Sequence, residues 1–314
     1  MLRSSLTSKK AGLSHRKVSF WCAGVVIATL VGCAAPVAVS PPPEPPQPEA
    51  TRAPRWALAL GGGAARGFAH VGVIQVLEKE GLLPDVVVGT SAGSLVAALY
   101  ASGKNSAELE QAALQMDEST IADWTLPLFN RGVLRGEALA KYVNQQVKNR
   151  QIQEMKLPLG ILATDLVSGD GVLFQRGDTG TAVRASSAVP GVFVPVSISG
   201  REYVDGGLVA PVPVVQARQM GAELVLAVDI SSPPQANTND AFKVVLQTFS
   251  IMGQSINRMV LQQADVVVRP SLAGVGSADF SNRQRSIAAG AEAMRALLPK
   301  LKEQLQAKRR PVSR

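Results

Sequence analysis

The sequence predicts an α/β fold of three layers, with helices covering both faces of a central, mostly parallel sheet. Three observations carry that expectation. Short apolar runs alternate along the chain with helical segments, the pattern of a parallel or mixed sheet covered on both faces. The run Val86-Val87-Val88 leads straight into Gly89-Thr90-Ser91-Ala92-Gly93 and then into an apolar helix from Ser94 to Tyr100. A second strand, Trp56–Leu60, enters the glycine-rich turn Gly61-Gly62-Gly63-Ala64-Ala65-Arg66-Gly67 ahead of a helix from Phe68 to Glu80.

The chain opens on a targeting segment, expected to span residues 1–32. Arg3, Lys9, Lys10, Arg16 and Lys17 precede an apolar run from Val18 to Val31, short of the roughly 20 residues that a membrane span needs. The run ends in Leu30-Val31-Gly32-Cys33, which resembles the lipobox of bacterial lipoproteins; a plain signal peptide or an anchor with a chance cysteine is the alternative. The resemblance implies cleavage before Cys33 and lipidation of that residue. Ala34 follows, where Asp would favour the inner membrane, so the outer membrane, facing the periplasm, is the implied location. Cys22, the only other cysteine, lies in the segment to be removed, so the mature chain is expected to form no disulfide. Residues 33–54 carry Pro36, Pro41, Pro42, Pro43, Pro45, Pro46, Pro48 and Pro54 and are expected to form an extended, semi-rigid tether.

The folded domain is expected over residues 55–307, followed by a basic tail, 308–314. After the first two strand–helix units come helices near Ser106–Met116 and Gly136–Val147, then strands at Leu159–Ala163 and Val172–Phe174. Next are a helix near Val214–Met220, a strand at Leu224–Val228, a polar loop at Ser231–Asp240 and a helix near Ala241–Met259. A strand at Val266–Val268 and a helix from Ser286 to Gln306 complete the pattern. The formal charge of +8 does not mark a nucleic-acid binder. Without the five basic residues of the targeting segment it falls to +3, and aromatic residues make up only 4% of the chain, too few for a base-stacking surface.

Gly89 and Gly93 flank Ser91 two residues on either side. In a sharp strand-to-helix turn that spacing clears side chains from around the serine and lifts its hydroxyl off the backbone. The helix that follows points its positive end at whatever the serine attacks. The glycine turn after Leu60 is a poor dinucleotide fingerprint, because Arg66 stands where the third glycine should be. Its consecutive glycines instead suit an oxyanion hole, where backbone N–H groups stabilise a tetrahedral intermediate. The chain has two histidines. His15 lies in the targeting segment. His70 falls in the first turns of a helix, facing away from the loop amides, and reads as structural. The base is then a carboxylate raised in pKa by burial. Asp205, at the tip of a short strand and followed by Gly206 and Gly207, and Asp165, at another strand end, are the two candidates.

Four blocks occur in order: Gly61–Gly67 with Arg66, Gly89–Gly93 with Ser91, Ala185–Pro195 around Pro190, and Asp205-Gly206-Gly207. Together they resemble the patatin-like phospholipase family over nearly all of Trp56 to Val268. The resemblance implies a patatin-type three-layer domain and a Ser-Asp dyad without histidine. It implies Ser91 as nucleophile, Asp205 as base, and Gly61, Gly62, Gly63 and Arg66 as the oxyanion loop. Plant patatins have one residue fewer between the third glycine and the arginine, which leaves open which amides serve. The Pro190 block reads as structural support, with Ser186 and Ser187 as ordinary loop hydroxyls. No metal and no cofactor are expected. Membrane lipids are the expected partners, as substrate and as anchor, with esters of phospholipids or lysophospholipids as substrates. Small acyl esters or thioesters, or binding of lipid or a partner without catalysis, are the alternatives.

Overall fold

The computed structural model describes residues 51–116, 123, 132–231, 241–276 and 279–311. Cys33, the proline-rich run up to residue 50 and residues 232–240 of the expected loop lie outside the described residues.

The chain enters with β1 (Thr51–Arg52), β2 (Trp56–Leu60) and α1 (Ala69–Lys79), the last preceded by a 3-10 turn at Ala64–Phe68. β3 (Val86–Thr90), α2 (Ala92–Ala101), α3 (Ser106–Gln115), β4 (Gly132–Leu134) and α4 (Glu137–Gln146) follow. A hairpin of β5 (Leu159–Asp165) and β6 (Gly171–Phe174) leads to α5 (Thr179–Ser186), β7 (Gly191–Phe193), β8 (Val196–Ile198) and β9 (Arg201–Asp205). The remainder is α6 (Val214–Gln219), β10 (Leu224–Val228), α7 (Ala241–Val260), β11 (Val266–Val268), α8 (Arg283–Ala307) and β12 (Arg310–Pro311).

The main sheet runs β11-β10-β2-β3-β5-β9-β8, with β6 also paired to β5. From β11 to β5 every pairing is parallel. The partners beyond β5 are antiparallel. A central mostly parallel sheet in a three-layer domain is thus what forms. Residues alternate across it as strand geometry requires. Trp56, Leu58, Leu60, Leu224, Leu226 and Val228 face one way and are buried with apolar residues of α1, α2 and α8. Ala57, Ala59, Val225 and Ala227 face the other, against Val214 and Ala217 of α6. Large side chains thus fill one layer, and small ones let α6 lie close on the other.

The α1–α8 crossing depends on two glycines. A Cβ on Gly72 would lie 1.8 Å from the carbonyl oxygen of Ile287, and one on Gly290 would lie 1.9 Å from that of Ala69. The backbones touch where neither helix has a side chain.

Two expectations need correction. The folded unit extends past both expected ends, 55 and 307. Thr51–Arg52 pairs antiparallel with Arg310–Pro311, and Arg52 and Arg310 both bridge Glu223, at 2.7 and 3.3 Å. Lys308 bridges Asp265 at 2.6 Å. Short-range pattern could not reveal this, because each strand has two residues and its partner is the other end of the domain. The segment around Pro190, which sequence pattern left without elements, holds the end of α5 together with β7 and β8. We expect Gly72→Ala and Gly290→Ala each to destabilise the fold by about 1–3 kcal/mol or more, read as a lower urea midpoint by circular dichroism. An unchanged midpoint would show that the crossing is not backbone-limited.

Candidate active site

The site lies at the carboxyl ends of β2, β3 and β9. Ser91 ends the β3–α2 turn at φ 52° and ψ −124°, a twist that a non-glycine residue adopts only when its surroundings enforce it. The flanking glycines show why it is enforced. A Cβ on Gly93 would lie 2.1 Å from the Leu60 oxygen, and one on Gly89 would lie 2.4 Å from the Gly93 oxygen. Three stretches of backbone are stacked with no room for side chains, so the turn is forced upward and Ser91 stands at its apex. Ser94 closes the first turn of α2 by donating from Oγ to the Ser91 oxygen at 2.6 Å.

Ser91 Oγ donates to Asp205 Oδ2 at 2.6 Å. Asp205 Oδ1 accepts from the Gly207 N–H at 2.7 Å. The Asp205 backbone is fixed from both sides. Its N–H donates to Ala188 O at 3.0 Å, and its carbonyl accepts from Thr164 Oγ1 at 2.9 Å. The carboxyl is 6% exposed. Burial raises its pKa from 3.8 to about 6, against the opposing effect of the Ser91 and Gly207 hydrogen bonds. A carboxylate poised near neutrality and bonded to a serine hydroxyl can accept that hydroxyl's proton.

The two rival residues have other partners. Asp165 Oδ1 accepts from the N–H groups of Val167 and Ser168, at 2.9 and 3.0 Å, and Oδ2 pairs with Arg201 at 3.0 Å. Those backbone hydrogen bonds hold its pKa below the usual range, so it closes the β5–β6 turn as a carboxylate. His70 is fully buried, and its Nε2 donates to the Gly61 oxygen at 2.8 Å. Burial pushes its pKa down to about 4. It is a neutral ring that pins the glycine loop from below.

The oxyanion expectation is corrected in part. The Gly61 N–H donates to Val228 O at 3.0 Å and the Gly62 N–H to Pro211 O at 2.9 Å. The Arg66 N–H donates to Gly63 O at 3.2 Å. These three amides are spent within the fold, because the loop is stitched to the neighbouring β10 strand and to the β9–α6 connection. The Arg66 side chain is buried and donates from Nε to Ile230 O at 2.9 Å, which fixes the loop to the segment after β10. Gly63 remains of the expected set. Ala64 and Ala65 open the 3-10 turn and Ala92 opens α2, so their N–H groups have no helical acceptor. All four residues line the same cavity as Ser91 and Asp205.

Sequence reasoning missed one residue. Ser186 Oγ accepts the Ser91 N–H at 2.9 Å and donates to Leu162 O at 2.5 Å. It ties the serine turn to β5, and only the docking of α5 brings it there. The cavity measures about 630 Å³. Its apolar wall includes Leu95 and Leu99 of α2, Leu139 of α4, and Leu246 and Phe249 of α7, a lining suited to a hydrocarbon chain.

A half-buried serine bonded to a buried carboxyl at the carboxyl edge of the central sheet, opening into an apolar cavity, is an arrangement suited to acyl hydrolysis. Residues 58–218 match the model of the family described as patatin-like phospholipase. The chain belongs to that family. It is 35% identical over 221 residues to an uncharacterized NTE family protein of Mycobacterium tuberculosis, covering 68% of this chain and 59% of that one. It is 32% identical over 189 residues to patatin-like phospholipase domain-containing protein 6 of Homo sapiens, covering 58% of this chain and 14% of the human one. The chain therefore spans under two thirds of the length of these relatives. In fold it is similar to VipD from Legionella pneumophila, with a TM-score of 0.55 at 14% identity over 82% of this chain and 67% of VipD.

Two outcomes follow for the pair. Asp205 is held protonated more readily folded than unfolded, so its contribution to stability is present below pH 3.8 and is lost as pH rises through about 6. Asp205→Asn should thus be more stable than wild type at pH 7.5, by on the order of 2–3 kcal/mol, with no gain at pH 3, while turnover collapses. Thermal melts at the two pH values check this, and a gain of equal size at both would refute the titration argument. Ser186→Ala should stay folded and lose about 10- to 100-fold in kcat/KM through misplacement of Ser91.

Proposed function

We propose that this chain hydrolyses carboxylic esters of phospholipids or lysophospholipids at a membrane surface, by a Ser91–Asp205 dyad. The observation that carries the reading is the 2.6 Å hydrogen bond from Ser91 Oγ to the buried Asp205 carboxylate. Family membership and the apolar cavity support a lipid ester as substrate.

In the proposed reaction Asp205 Oδ2 takes the Ser91 proton as Oγ attacks the ester carbonyl. The N–H groups of Gly63, Ala64 and Ala92 are the donors we assign to the oxyanion, since those of Gly61, Gly62 and Arg66 are engaged. The C–O bond to the leaving alcohol breaks, and Asp205 returns the proton to it. Water then attacks the acyl-serine as Asp205 takes its proton, the acyl–Oγ bond breaks, and Asp205 passes the proton to Oγ, leaving the fatty acid and free serine. Asp205 acts as base in its ionised form, so kcat/KM should rise with pH through about 6 and then level off. The chain is also proposed to be a lipoprotein, anchored through Cys33 to the outer membrane. The lipobox and the proline-rich residues after it support that location.

Four measurements test these readings. A fluorophosphonate probe should label the wild type and not Ser91→Ala. Release of fatty acid from phospholipid vesicles should proceed without added calcium, and no release of any ester product would end the hydrolase reading. His70→Ala should lose no more than about tenfold, against roughly 10⁴-fold for a triad member; a folded His70→Ala as inactive as Ser91→Ala would mean a histidine mechanism. Cys33→Ser should abolish palmitate labelling and release the protein from the membrane fraction.

A further inference from the structure

Among the described residues, large exposed apolar side chains concentrate on α7. Val244, Val245, Ile251, Met252 and Met259 are 47 to 65% exposed. Their separations of seven and eight residues set them along one side of the helix. The other side belongs to the cavity, which Leu246, Phe249 and Gly253 line. One helix thus has an apolar face toward the proposed acyl site and a second, mostly apolar face, with Thr248 and Ser255 among its large side chains, that is exposed among the described residues.

Its charge is of one sign. The helix carries Lys243 and Arg258 and no Asp or Glu, and both cations are exposed beside the apolar stripe. An apolar stripe flanked by cations matches a bilayer surface, whose acyl layer lies beneath anionic phosphates. A protein partner would have to set a carboxylate against Arg258. No helix among the described residues is long and apolar enough to cross a membrane, so such a contact is made from the surface. The turn after β5 adds Leu166 at 41% and Val167 at 89% exposure, at the same carboxyl edge of the sheet.

We propose that α7 is an interfacial helix that docks on an anionic lipid surface and holds the cavity mouth against it. The proposal rests on reading the cavity as an acyl-chain site. A lipid leaving the bilayer beside α7 then crosses about one helix width, roughly 10 Å, to reach the cavity.

The test uses the full chain with Ser91→Ala, Cys22→Ser and Cys33→Ser, and a polarity-sensitive dye on Met252→Cys. A second version carries the dye on Glu303→Cys, an exposed site on α8. Vesicles of phosphatidylcholine and phosphatidylglycerol should blue-shift the dye at 252 and not at 303. Adding Ile251→Asp and Met259→Asp should abolish the shift. No shift at 252, an equal shift at both sites, or a shift at 252 that grows with protein concentration without vesicles would overturn the proposal; the last would assign the face to a second copy of the chain. With Ser91 and both cysteines restored and no dye, the Ile251→Asp, Met259→Asp pair should cut fatty-acid release from the same vesicles at least tenfold. It should leave hydrolysis of a soluble short-chain ester unchanged. Undiminished vesicle hydrolysis also overturns docking. If the wild type cleaves no soluble ester, the catalytic reading fails, while the dye shift still decides the docking.

Discussion

The backbone twist at Ser91 is the constraint on which the rest of the site depends. A serine at φ 52° is held against a local cost of about 1–3 kcal/mol, and it stays there because the chain around it cannot relax. Gly89, Gly93 and Leu60 are stacked backbone on backbone. Ser186 holds the Ser91 N–H and Ser94 holds the Ser91 carbonyl. The contacts come from β2, β3, α2 and α5, so the fold as a whole supplies the stability that the turn consumes. The parallel register of β2 with β3 sets Leu60 beside the turn, and the antiparallel pairing of β9 with β5 sets Asp205 opposite it.

Burial of Asp205 works against stability and in favour of chemistry. An exposed carboxylate would keep an ordinary pKa and would be a weak base toward a serine. A carboxylate sealed among apolar groups, with no partner at all, would be protonated and would not act as a base. Asp205 sits between these limits because burial raises its pKa and only two donors, Ser91 Oγ and the Gly207 N–H, oppose the rise. Asp165 shows the contrast. Its side chain is also little exposed, but the N–H groups of Ser168 and Val167, with Arg201, outweigh a smaller cost of burial and hold its pKa below the usual range. Donors outweigh burial at Asp165, and burial outweighs donors at Asp205.

Much of this was readable in the chain because it is local. Val86–Val88 followed by a glycine, a serine and a second glycine specifies strand, turn and helix within eight residues. The alternation of Trp56, Leu58 and Leu60 with Ala57 and Ala59 states which layer each face meets. Without the family resemblance the base stayed undecided between Asp205 and Asp165, since both end strands and only tertiary hydrogen bonds distinguish them. The engagement of the Gly61 and Gly62 amides was hidden for the same reason: their acceptors, Val228 and Pro211, lie 167 and 149 residues away. Ser186 looked like an ordinary loop hydroxyl because its role exists only once α5 is docked. What depends on a partner far along the chain leaves no mark on the spacing of its neighbours.

The β1–β12 pairing brings the two ends of the domain together at the amino edge of the sheet, behind Arg55 and Glu223 and on the far side from Ser91. In topological terms the domain is close to a closed ring with one opening. Force on either end is taken first by a pair of two-residue strands and the ion pairs to Glu223 and Asp265, which can part without disturbing β2, β3 or β9. A ring of this kind is also a candidate for reopening elsewhere, at an exposed turn away from the cavity, with the present ends joined. Thr51 and Pro311 thus lie together at the pole of the domain that faces away from Ser91.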